Sequence, residues 1–306
     1  MIEATGLSKV FGRRMAIENI NFKVNSGEIV GLLGPNGSGK STTIKILTGV
    51  IPASSGTATL AGFDLFQETM EVKKNVGYLP ENPPVYFDMI VEDYLKFAAK
   101  LHFVPRSKLN ASLDHALEKT GLREVRKRLI GNLSKGYRQR VGLAQALVHD
   151  PKIIILDEPT VGLDPVQIIE FRELIKSLRG SHTVILSSHI LPEITATCDR
   201  VIVMNRGVMV AQNTLEPEVT YKMIVKDANE SGLKSLRRVP GVHSIEVLPS
   251  PPDQKLIIKM TPSQNDFRTE LLHIALKEKM GVLEFTHENQ GLEALYLQLT
   301  SQESSL

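Results

Sequence analysis

Glu28-Ile29-Val30-Gly31-Leu32-Leu33-Gly34-Pro35-Asn36-Gly37-Ser38-Gly39-Lys40-Ser41 decides the fold. Glu28 to Leu33 is a short, almost wholly apolar run that reads as a buried strand. Gly34-Pro35-Asn36-Gly37-Ser38-Gly39-Lys40-Ser41 then satisfies G-x-x-x-x-G-K-[ST] in full. The glycines let the backbone curl until successive N–H groups point inward at phosphate oxygens. STTIKILTGV follows with helical spacing, Ile44 and Leu47 on one face. A helix beginning near Lys40 adds the positive end of its dipole to the loop. Lys40 is placed to reach β- and γ-phosphates, and Ser41 to ligate Mg²⁺. Strand, glycine loop and helix together predict a site for a nucleoside triphosphate, with ATP as the expected one.

Further along, Ile153-Ile154-Ile155-Leu156 is a second buried strand and ends on Asp157-Glu158-Pro159. A carboxylate at the end of such a strand, near a phosphate loop, suits an outer ligand of Mg²⁺. Side chains alternate along a strand, so Glu158 points elsewhere than Asp157 and is free to address the attacking water. The plainer alternative is that both residues only cap the strand before Pro159. TVILSSH is another apolar strand, separated from IIILDEP by the helix-like VQIIEFRELIKSLRG, and buried parallel strands have this character. Between the two halves, VEDYLKFAAKL, ASLDHALEKT and YRQRVGLAQALV carry helical periodicity and predict a helical insert spanning about 84–150. The first domain closes near residue 215. Over 219–306 the expected order is β-α-β-β-α-β, the ferredoxin-like plan, followed by a last helix in GLEALYLQLT.

Composition narrows the classes further. Thirty-six basic and 34 acidic residues leave a formal charge of +2, which argues against a general nucleic-acid binder. Cys198 is the only cysteine, so no internal disulfide forms and a reducing, cytoplasmic setting is expected. The opening residues have no apolar core of a secretory signal, and no apolar run reaches the ~18–20 residues that span a bilayer. The basic stretch LREVRKRLIGNLSKGYRQR reads either as a solvated face or as attraction to a triphosphate or an acidic membrane leaflet.

GPNGSGKST (Gly34 to Thr42), LSKGYRQR (Leu133 to Arg140), IIILDEPT, VGLDP and SSHIL occur in that order. Together they resemble the ATP-binding cassette of ABC transporters over about 1–215. The resemblance implies an α/β P-loop NTPase domain of the ABC type with a helical subdomain. The small α+β domain at 219–306 is additional to it. Thr42 joins the phosphate-binding set. Phe11, in KVFGRR, matches the aromatic that stacks on adenine, where tyrosine is more usual; a core position is the alternative. Glu81, in GYLPEN, matches the loop that normally carries a glutamine touching Mg²⁺ and water and sensing the membrane partner. A carboxylate there is still able to ligate Mg²⁺. Ser134 and Gly136 match the signature residues that meet the γ-phosphate, although Lys135 and Tyr137 depart from LSGGQ; Ser134 is also a candidate helix N-cap. Asp164 matches a loop at the dimer interface, and His189 the histidine that hydrogen-bonds the γ-phosphate.

Signature and phosphate loop lie about a hundred residues apart. In the family they meet only between subunits, so the resemblance implies two shared sites in a head-to-tail dimer, expected here as a homodimer. With no spanning segment, the protein is expected to power a separate integral membrane permease from the inner face of the cell membrane. LSKGYRQR, GYLPE and LEALYLQLT look most like bacterial exporter-type subunits. The alternative is a non-transport ATPase of the same fold, but one cassette per chain is unlike the translation factors. The missing long coiled coil is likewise unlike the repair ATPases.

Overall fold

The computed structural model describes residues 1–214, 219–260 and 267–287. The helix expected in GLEALYLQLT lies outside them. The chain divides into two compact units, Met1–Thr214 and Leu215–Leu306.

In the first unit β1 (Ile2–Phe11), β2 (Arg14–Val24), β4 (Ser55–Leu60) and β5 (Phe63–Asp64) form an antiparallel sheet in the order β2-β1-β4-β5. The central sheet runs β10-β9-β3-β8-β7-β6. Its members are β3 (Ile29–Leu33), β6 (Val76–Leu79), β7 (Ile153–Asp157), β8 (Thr183–Ser188), β9 (Arg200–Asn205) and β10 (Val208–Thr214). Five of these strands are parallel, and β10 closes the edge antiparallel to β9. Every residue of β3, β7 and β8 is buried, which is why these strands read as continuous apolar runs and not as alternating ones. β3, β7 and β8 all end on the same edge, and the loops leaving them carry the polar residues.

α1 (Lys40–Leu47) leaves the glycine loop and buries Ile44 and Leu47 in the core between the sheets. α2 (Thr69–Asn75) leads into β6; its seven residues are too short for periodicity to announce. The helical insert is built on α3 (Val91–Leu101), α4 (Leu109–Lys119) and α5 (Lys135–Leu147). α3 buries Val91, Tyr94, Leu95, Ala98 and Ala99, the i, i+3, i+4, i+7, i+8 stripe of an amphipathic helix. With Leu113, Leu117, Val141 and Val148 they make a core separate from that of the sheets. α6 (Pro165–Lys176) joins β7 to β8, and α7 (Leu191–Thr197) joins β8 to β9.

The second unit places β11 (Val219–Val225), α8 (Glu230–Leu236), β12 (Val242–Ser250), β13 (Asp253–Met260), α9 (Arg268–Lys277) and β14 (Val282–His287) in that order. Its sheet runs β12-β13-β11-β14, wholly antiparallel. This is the β-α-β-β-α-β plan, with Met223, Leu256 and Ile258 packed under Leu236 and Leu271.

One joint of the first unit is sensitive to acid. His102, at the C-terminus of α3, stacks on His149, just beyond α5, with centroids 3.7 Å apart and planes 9° from parallel. His149 Nε2 donates to the carbonyl of Val76 at 3.2 Å, and its Nδ1 is buried without a partner. Burial, then the neighbouring His102, pushes the His149 pKa down to about 4; burial lowers that of His102 as well. The folded imidazole therefore stays neutral where the unfolded one takes up a proton. Stability on this account is lost as pH falls from about 6.5 towards about 4. In urea titrations His149→Phe is expected to shrink the pH 7-to-5 difference in unfolding free energy by about 2 kcal/mol. An unchanged difference would show that His149 is not the group responsible.

Candidate nucleotide site

The glycine loop is held open by geometry that only glycine fits. Gly39, the N-cap of α1, has φ 105°. A Cβ on Gly34 would sit 2.3 Å from the carbonyl oxygen of Met204 and 2.6 Å from Ser38 Oγ. The loop is therefore clamped between its own turn and β9, and the Gly207 N–H, donating to the Ser38 carbonyl at 3.0 Å, ties it to the β9–β10 turn as well.

Lys40 is 5% exposed and donates from Nζ to the carbonyls of Gly34 (2.7 Å) and Pro35 (3.1 Å). Its third neighbour is Glu158 Oε1, 3.3 Å away in an ion pair that lacks hydrogen-bond geometry. Glu158 Oε2 accepts from His189 Nδ1 at 2.9 Å. Ser41 Oγ donates to Asp157 Oδ1 at 3.2 Å, and Ser187 Oγ donates to the same oxygen at 2.7 Å. The Glu158 N–H donates to Ser187 Oγ at 2.9 Å. The chain thus gathers Lys40, Ser41, Asp157, Glu158 and His189 from three strand ends into one cluster.

Strand alternation alone would send Glu158 away from Asp157. Glu158 has φ 46°, a left-handed conformation uncommon for a side-chain-bearing residue, and this turn brings both carboxylates to the phosphate loop. Nearby, burial and then the Asp157 charge push the Tyr78 phenol up to about 12, so Tyr78 stays a neutral hydroxyl.

A cavity of about 720 Å³ opens over the loop. Asn36, Gly37, Gly39, Lys40, Ser41 and Thr42 line its floor, with Glu81, Glu158 and His189 beside them. Phe11 lines it too and is 50% exposed, which excludes a core position; Lys9 Nζ lies 5.2 Å from its ring centroid. The volume suits a nucleotide-sized ligand. Ser38 Oγ and Glu158 Oε1 are buried without hydrogen-bond partners; Glu158 lines the cavity, and its free oxygen is an acceptor that a water O–H would satisfy. Motif reading missed Arg14 and Arg206, two cations on the same cavity wall; each sits at a hairpin turn, where basic residues carry no signal of their own.

Ser134, Gly136 and Asp164 are elsewhere. They line a second, open cavity with Tyr137, Arg140 and Gln167, and none of these residues lines the first. Ser134 caps α5, its Oγ accepting from the Tyr137 N–H at 3.3 Å. Asp164 caps α6 in the same way, accepting from the Gln167 N–H at 2.9 Å, a role its motif did not suggest.

A strand, a phosphate loop and a helix, with a strand-end aspartate bonded to the loop serine, define a P-loop nucleoside triphosphatase. A family model described as ABC transporter matches residues 17–161. The linearmycin resistance ATP-binding protein LnrL of Bacillus subtilis is 31% identical, over 98% of this chain and 98% of its own. The bacitracin transport ATP-binding protein BcrA of Bacillus licheniformis is 40% identical, over 68% of this chain and 67% of its own. Among solved structures, an ATP-binding subunit of an ABC transporter superposes with a TM-score of 0.64 at 29% identity, covering 71% of this chain and 91% of that one. The chain belongs to the ABC transporter family, as an ATP-binding subunit that hydrolyses ATP to drive transport.

Lys40→Ala is expected to abolish ATP binding measured by calorimetry, because it removes a buried cation from the cavity floor. Unchanged affinity would remove Lys40 from the site.

Proposed function

We propose that this protein is the Mg²⁺-dependent ATPase subunit of an exporter-type transporter, working as a homodimer with two shared sites on the inner face of the membrane. The observation that carries the reading is the split between the two cavities. One holds the phosphate loop, the carboxylates and the histidine; the other holds Ser134, Gly136 and Asp164. Each is half of a site if the second cavity of one copy closes over the nucleotide of the other.

Within the first half, the loop N–H groups and Lys40 bind the phosphates, and Phe11 supplies a face for the base. Ser41, Asp157 and Glu81 are oxygen donors of the kind a hard cation takes. Among the described residues no group of three or more His, Cys, Asp or Glu could hold a metal. Mg²⁺ would then complete its shell with triphosphate oxygens and water, as is usual for this ion. Its chemistry there is neutralisation of charge on the β- and γ-phosphate oxygens. Glu158 accepts the proton of the attacking water, and His189 fixes that carboxylate while facing the γ-phosphate. The γ-phosphate offers Ser134 and Gly136 of the second copy contacts that ADP lacks, so ATP favours the closed pair and hydrolysis releases it.

No described helix is long and apolar enough to cross a membrane; relatives that are ATP-binding proteins of transport and resistance systems support a separate permease as the translocating path. A cleft of about 210 Å³ on the helical subdomain suits a cytoplasmic segment of that permease. Pro84, Tyr86, Phe97 and Leu101 line it, and the last three are exposed. Pro84 and Tyr86 lie just beyond Glu81, which joins this cleft to the nucleotide cavity along one short segment. Two relatives named for linearmycin resistance and bacitracin transport support an antibiotic as the cargo.

Glu158→Gln is expected to bind ATP normally, lose turnover, and shift to a dimer on gel filtration with Mg-ATP. A variant that stays monomeric and hydrolyses at the normal rate overturns both the base and the shared site. Co-purification of the intact protein with a multi-span membrane protein tests the permease reading; recovery on ribosomes or DNA instead overturns it.

A further inference from the structure

Two of the residues assigned to chemistry sit on different loops. Glu158 leaves β7 and His189 leaves β8, and their 2.9 Å contact depends on how those loops are held. The Ser187 hydroxyl provides one tie, donating to Asp157 Oδ1 and accepting from the Glu158 N–H. A second tie lies on the far side of the pair. Glu193, in the first turn of α7, is 7% exposed. Its Oε2 accepts from Thr160 Oγ1 at 2.7 Å and from Ser188 Oγ at 3.0 Å. Thr160 is 6% exposed and Ser188 1% exposed, so all three groups are enclosed.

The connectivity gives this carboxylate a mechanical role. Thr160 stands two residues beyond Glu158, and the turn between them is closed by the Val161 N–H donating to the Glu158 carbonyl at 3.2 Å. Ser188 immediately precedes His189, and its Oγ also accepts from the Ile190 N–H at 3.0 Å, closing the backbone around the histidine. One oxygen therefore joins the turn that carries Glu158 to the turn that carries His189. A buried carboxylate is retained at a cost unless its hydrogen bonds are made, and here two hydroxyls make them. Without it, the turn carrying Glu158, itself in a left-handed conformation, loses a tie to the turn carrying His189 and keeps the one through Ser187.

We infer that Glu193 is a positioning residue for ATP hydrolysis: by bonding Thr160 and Ser188 at once, it sets the distance between Glu158 and His189. Glu193 does not line the nucleotide cavity. This rests on the roles proposed above for Glu158 and His189.

Glu193→Ala should lower kcat about 10- to 100-fold while KM for ATP changes less than about twofold, since misplacement of reacting groups is costly in rate and the phosphate loop is untouched. Glu193→Gln, whose amide oxygen accepts both hydroxyls, should recover most of the lost kcat. Thr160→Val removes one arm with little change in shape and should give an intermediate kcat; it carries the test if Glu193→Ala does not fold. In a His189→Ala background, Glu193→Ala should cost much less than it does alone. Normal kcat in Glu193→Ala or in Thr160→Val overturns the inference. So does a raised KM with kcat unchanged, an equal loss in Gln and Ala, or full additivity with His189→Ala. Glu158→Gln measured alongside separates the two levels. If it turns over normally, the role of Glu158 fails. If it is inactive while Glu193→Ala is normal, only the brace fails.

Discussion

The ion pair between Lys40 and Glu158, both nearly excluded from solvent and 3.3 Å apart, is the constraint around which the first unit is arranged. Burying a charge is costly unless it is paired and hydrogen-bonded. The structure meets that demand with fixed groups: two loop carbonyls on the lysine, one imidazole on the carboxylate, and Ser41 and Ser187 on the neighbouring aspartate. All of them come from the ends of β3, β7 and β8 or the loops that follow. A parallel sheet is the architecture that delivers several strand ends to one edge, with both faces of its strands covered by apolar packing.

The shared site proposed above has a basis in the same arrangement. Helix-capping residues such as Ser134 and Asp164 spend a side-chain oxygen on their own helix, while their backbones and neighbours line a separate open surface. Among the described residues this surface and Lys40 line separate cavities. In the proposed dimer a second copy brings a helix N-terminus, with its positive dipole, up to the γ-phosphate. The helical subdomain, with its own core of Leu95, Leu117 and Val141, is built to carry that surface as a body distinct from the sheet that carries the nucleotide.

The short segment from Glu81 to Met89 connects several of these parts. Glu81 borders the nucleotide cavity, and Pro84 and Tyr86 border the apolar cleft. The carbonyl of Phe87 accepts from the Gly131 N–H at 3.0 Å, three residues before Ser134, and its ring lies 5.5 Å from the Arg138 guanidinium. Glu81 puts a carboxylate at the head of that segment.

Much of this was legible in the amino-acid order, for a definite reason. A phosphate loop is a local object: its glycines, its lysine and its flanking strand and helix are contiguous, so the sequence declares it without knowledge of the fold. Buried strands announce themselves by apolar runs, and α3 by its stripe. What is non-local was not legible. The left-handed turn at Glu158, the shared oxygen of Glu193, the second bond made by Ser187, the stacking of His102 on His149 and the two arginines on the cavity wall arise from residues far apart in the chain. Motif order pointed to a protein that holds and hydrolyses ATP; only the packing of strand ends decided which groups tie the Glu158 turn to the His189 turn, because hydrogen bonds between loops depend on distances that no spacing along the chain encodes.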